Sequence, residues 1–79
     1  MVSRRKKRDP IAEAFGAAVR RLRIEKGWTQ EQLAEAADMN ASYLGFLERG
    51  DNVPTLTILI QVARALKVDP AALVRDAAK

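Results

Sequence analysis

The 79 residues make one small domain near the lower size limit for an independent core, with no room expected for a separate effector domain. The chain has no Cys and no His, which removes disulfides, thiolate metal sites, cysteine nucleophiles and the commonest general base. No catalytic constellation, metal site or cofactor is expected, and an enzyme is the least favoured class.

The net charge of +4 is unevenly placed. Arg4, Arg5, Lys6, Lys7 and Arg8 form a basic run, while the other nine Lys and Arg face all ten Asp and Glu. Residues 1–8 therefore read as a basic flexible tail suited to phosphate contacts on a polyanion, or as a solvated end that aids solubility. Residues 9–79 read as the folded domain. No apolar run approaches the roughly 18 residues of a membrane span, and the N-terminus lacks a signal-peptide core. The expectation is a soluble cytoplasmic protein with no membrane partner.

Asp9-Pro10 is a helix start, a capping acid followed by proline at the first helical position. Ile11, Phe15, Ala18, Val19 and Leu22 then repeat on one helical face, and the helix is expected to end near Lys26-Gly27. Thr29 can N-cap a second helix, with Gln32 completing a capping box and Trp28 and Leu33 placed as a hydrophobic staple. Asn40 repeats the start signal, with Met39 and Leu44 as its staple pair, and Gly50 supplies the stop. Two short helices joined by a tight turn, with apolar Leu33, Ala37, Met39, Leu44 and Leu47 and small Ala34 at the crossing, specify a helix-turn-helix.

The segment 29–50 resembles the phage repressor and Cro type of helix-turn-helix, the xenobiotic-response-element-like family. The resemblance rests on Gln30, Leu33-Ala34, Tyr43-Leu44 and Leu47-Glu48-Arg49-Gly50, and it extends from roughly Phe15 to Leu73. It implies an all-α, lambda-repressor-like domain of about five short helices. One departure stands at the turn, where Asp38 occupies a position at which the family commonly has glycine. An intact, slightly strained turn is expected there.

With Leu44 and Leu47 facing the core, the opposite face of the second motif helix shows Ala41, Ser42, Gly45, Phe46 and Arg49. The resemblance implies roles for several of them. Ala41, Ser42 and Phe46 occupy positions at which family members read base edges, and Tyr43 lies beside them. This set is poor in the strong readers, Arg for guanine and Asn or Gln for adenine, so Arg49, the tail or DNA shape should add specificity. Phe46 could instead be an exposed hydrophobe at a protein contact. Gln30, Thr29 and Asn52 are phosphate candidates, Gln30 because a helix N-terminus attracts anions. Family members pair an arginine of the first helix with the glutamate at Glu48, and Arg23 is the matching position.

Thr55 caps a fourth helix whose expected core face is Leu56, Leu59, Ile60, Ala63 and Leu66. Ile58, Val62 and Ala65 make a second stripe that Val74 could extend, and these four are the expected homodimer interface; Val62 and Ala65 could alternatively complete the monomer core. Asp69-Pro70 starts a short last helix. The function expected is a transcriptional regulator that binds double-stranded DNA sequence-specifically and acts by operator occupancy. A small stand-alone controller is one form it could take, and no small-molecule effector is evident. The alternative is a protein-interaction module of the same fold, such as an antitoxin or a transcription bridging factor.

Overall fold

A computed structural model describes residues 8–79. The described residues form five α-helices and no strand: α1 (Pro10–Glu25), α2 (Gln30–Ala36), α3 (Ala41–Arg49), α4 (Leu56–Leu66) and α5 (Pro70–Ala78). Each begins at a capping residue, because the first amides of a helix have no partner within it. Asp9, Thr29, Asn40, Thr55 and Asp69 each accept from backbone amides of the following turn. The Thr29–Gln32 capping box is reciprocal, Gln32 N–H donating to Thr29 Oγ1 at 3.1 Å and Thr29 N–H to Gln32 Oε1 at 2.8 Å.

The first four helices end the same way. A left-handed residue stops each one, at Gly27, Asp38, Gly50 and Lys67, and the next amide closes onto the helix. In α2 the amide of Met39 reaches the carbonyl of Ala34 at 2.9 Å, and that of Asp38 reaches Glu35 at 3.1 Å. These paired bonds satisfy the orphan carbonyls of a helix end. Asp38 adopts this conformation with φ 58°, so the turn keeps its geometry without glycine.

Phe15, Val19, Leu33, Leu44, Leu47, Val62 and Leu73 are the largest fully buried side chains, and every helix contributes at least one of them. The packing departs from the apolar pattern at two places. Ile11 is exposed and Ala12 takes the core position at the start of α1. In α4 the buried residues are Val62, Ala63, Ala65 and Leu66, whereas Leu56 is 74% exposed and Leu59 and Ile60 are only partly covered. Val62 and Ala65 are thus core residues of the monomer, and the expected interface stripe is not a surface. Ile58 packs against the core, and of the four expected interface residues only Val74 is exposed.

The α4 sequence is apolar almost all round, so its pattern fixes the buried face only weakly, and the observed phase turns Gln61 toward α2. Its Nε2 donates to the carbonyl of Ala37 at 2.9 Å, so this polar side chain faces α2 and satisfies a carbonyl at that helix's C-terminal end. No helix of the described residues is long and apolar enough to cross a membrane.

Candidate nucleic-acid interface

The helix-turn-helix is held by one buried carboxylate. Glu48, near the C-terminal end of α3, receives both prongs of the Arg23 guanidinium, Nε to Oε2 at 2.7 Å and Nη2 to Oε1 at 3.0 Å. Gln30 Nε2 donates to the same Oε1 at 3.0 Å, and Arg23 Nη1 reaches the carbonyl of Trp28 at 2.8 Å. The Glu48 side chain is 2% exposed and that of Arg23 12%. The carboxylate raises the Arg23 pKa above its ordinary value, its hydrogen bonds outweighing the partial burial that opposes charge. Arg23 therefore ties α1 to α3, and Gln30 ties the start of α2 to the same point.

Gly16 completes this junction, a role that the apolar pattern of α1 does not assign. A β-carbon there would collide with the carbonyl oxygen of Leu47 and lie 2.7 Å from that of Glu48. Only a hydrogen at this position lets α1 lie against the end of α3. The signal available in the sequence is a glycine inside a strong helical pattern, which marks close approach.

α3 presents Ser42, Phe46 and Arg49 as its exposed residues. They share one face, spaced four and three residues apart. Ala41 and Tyr43 are half-buried and packed against the core, so they flank this face rather than stand on it. Gly45, expected on the exposed face, is buried beneath Arg49 and Gln30. Thr29 is exposed at the cap of α2, and Asn52 lies half-buried in the loop after α3. The Gln30 side chain is turned onto Glu48, spending one of its two Nε2 N–H groups there, so an anion at this end would meet the α2 backbone amide and the second Nε2 N–H.

Arg4, Arg5, Lys6 and Lys7 lie outside the described residues. Arg8, expected in the flexible tail, is instead bound to the domain. Its Nε donates to Glu13 Oε2 at 2.6 Å, its Nη1 to Asp51 Oδ1 at 2.6 Å, and its Nη2 to the carbonyl of Arg49. A guanidinium there meets the negative end of the α3 dipole and two carboxylates. Arg8, and then Arg49, hold the Asp51 carboxyl below the usual carboxylate range. The cluster fixes the root of the basic run at the C-terminal end of α3.

Comparison with known proteins agrees with this geometry. A helix-turn-helix family model matches residues 19–73. An uncharacterized HTH-type transcriptional regulator of Sinorhizobium fredii, y4dJ, is 42% identical over 64 residues, covering 81% of this chain and 83% of the relative. Among solved structures, the clp gene regulator ClgR from C. glutamicum superposes with a TM-score of 0.80 at 40% identity, covering 86% of this chain and 88% of that one. The restriction-modification controller protein C.AhdI from Aeromonas hydrophila gives 0.76 at 37% identity, covering 78% and 94%. The chain belongs to the helix-turn-helix family of DNA-binding transcriptional regulators.

Proposed function

We propose that the protein regulates transcription in the cytoplasm by occupying a double-stranded operator as a homodimer, with α3 in the major groove of each half-site. The observation that carries the reading is the exposed Ser42–Phe46–Arg49 face of α3, held rigidly to α1 and α2 through Glu48. A reading helix needs such a fixed frame, since base contacts specify only when their register is set. The amide end of α2 at Gln30, with Thr29 and Asn52, supplies phosphate contacts that set it.

One recognition helix spans too few base pairs for specificity, and two-fold pairing doubles the site. The surface for pairing differs from the one the α4 periodicity suggests. Leu56, Val53 at 65% and Ile11 at 62% exposure stand out among the apolar side chains, with Val74 alongside. Ile11, Val53, Pro54, Leu59 and Val74 line one apolar groove between α1, the loop after α3, α4 and α5. We infer that this groove, together with Leu56 one helical turn before Leu59, is the pairing surface.

The test joins sedimentation to gel shifts. The wild type is expected to dimerise at micromolar concentration, and Leu56→Asp to remain monomeric with its fold intact. Wild-type DNA affinity should fall steeply with salt. Deleting residues 1–7 should flatten that dependence, by up to about 0.9 in slope for each phosphate the tail neutralises. A wild type that stays monomeric removes the dimer, and absence of salt-sensitive DNA binding removes the operator reading in favour of a protein-interaction module.

A further inference from the structure

Phe46 and Arg49 are physically coupled, and the coupling has a direction. The Arg49 guanidinium lies over the Phe46 ring, 5.1 Å from its centroid. Its Nε donates to Asp51 Oδ2 at 3.1 Å, which leaves the end-on Nη1–Nη2 edge out of that bond. Asp51 is itself fixed, because its other oxygen takes Arg8 Nη1 at 2.6 Å while Arg8 also holds the Arg49 carbonyl. Gly45 lies beneath, where even a β-carbon would come no closer than 3.4 Å to Arg49 Nη1. An ordinarily floppy surface arginine is thus gripped at Nε by a carboxylate and on one face by an aromatic ring. What remains to bind a ligand is the Nη1–Nη2 edge beside the outer edge of a 43% exposed phenyl ring.

These two surfaces have distinct partners in the major groove. A guanidinium edge matches guanine O6 and N7 bidentately, and a phenyl ring packs on a thymine methyl. The guanidinium carbon and the ring centroid stand 5.1 Å apart as stacked layers, of the same order as the roughly 3.4 Å between successive stacked base pairs. The side chains therefore address neighbouring base pairs rather than the same one.

We propose that Phe46 and Arg49 act as one reading unit for a thymine–guanine step, Arg49 bonding the guanine while Phe46 covers the methyl of the adjoining thymine. Asp51 and Arg8 are positioning residues that aim the Arg49 edge. The inference rests on the operator reading above and adds the base step that each half-site must contain. It also supplies the strong reader that Ala41, Ser42 and Phe46 lack.

The experiment selects sites from random duplex DNA with the full chain, then measures binding to the selected operator with single atoms removed. Replacing the thymine by deoxyuridine deletes one methyl and should weaken wild-type binding about fourfold, the worth of one buried methyl. Replacing the guanine by 7-deazaguanine removes N7 and should cost about fivefold or more. Phe46→Ala should no longer distinguish thymine from deoxyuridine, and Arg49→Met, which has no donor, should no longer distinguish guanine from its deaza form. Both side chains are exposed, and melting curves verify that the variants fold. An enriched site lacking a thymine–guanine step, a methyl-blind wild type, or an Arg49→Met variant that still distinguishes guanine from its deaza form overturns this inference alone. Failure to enrich any sequence overturns the operator reading together with it.

Discussion

Glu48→Ala is the most informative perturbation of the frame. The carboxylate accepts three hydrogen bonds, at 2.7, 3.0 and 3.0 Å, and its side chain is all but sealed from water. Removing it strands the Arg23 guanidinium, 12% exposed, with only the Trp28 carbonyl as partner, and leaves the Gln30 amide without its acceptor. Breaking one partner of a buried pair costs about 3–5 kcal/mol, most of it from the charge left behind. A domain of this size has a total stability of roughly 4–12 kcal/mol, so the variant should approach the edge of folding. At about 4–8 °C per kcal/mol for a domain of this length, the melting temperature should fall by at least about 12 °C. Glu48→Gln, which keeps the shape and one acceptor, should lose less. Thermal unfolding of Glu48→Ala, Arg23→Ala and the double variant gives the coupling directly. The double variant should be little worse than either single one, since no stranded charge remains. A Glu48→Ala protein that melts within a few degrees of wild type would refute the reasoning.

Three further perturbations probe separate parts of the frame. Gly16→Ala should destabilise by about 1–3 kcal/mol through overpacking, because the new methyl meets the Leu47 and Glu48 carbonyls; an unchanged melting temperature would show that α1 and α3 can separate without cost. Asp38→Gly should stabilise by about 0.5–1 kcal/mol, relieving a left-handed residue at φ 58° and removing an anion from the negative end of α2; a lower melting temperature would disprove this. Asp51 has a folded-state pKa below its ordinary 3.8, so its contribution is complete above that value and lost as pH falls through the lower one. The stability gap between wild type and Asp51→Asn should therefore be open near neutral pH and close under strong acid, and a gap independent of pH would exclude the Arg8–Asp51–Arg49 cluster as its source.

What is legible in the sequence is mostly local. Capping depends on a side chain and amides two or three residues away, so Asp9, Thr29, Asn40, Thr55 and Asp69 announce their helices without knowledge of the fold. Arg23 and Glu48 are reached only through family resemblance, because their partnership spans 25 residues and no periodicity joins them. The α4 phase misleads for an instructive reason. Its run LTILIQVARAL is apolar almost all round, leaving its polar residues to set the solvent side. Gln61 points inward to the Ala37 carbonyl, and the face expected outside, Val62 and Ala65, is core. Arg8 misleads similarly: composition puts it in a solvated run, and only the fold brings Glu13, Asp51 and the end of α3 around it.

Hydroxyl-radical footprinting of the full chain on its selected operator tests the central claim most directly. Two recognition helices carried by a two-fold dimer should protect two patches on one face of the duplex, about 34 Å apart or a multiple of that. Leu56→Asp should lose the paired pattern at concentrations where the wild type shows it. A single protected patch, or a pair that persists unchanged in Leu56→Asp, would contradict a dimer formed through the exposed apolar surface at the start of α4.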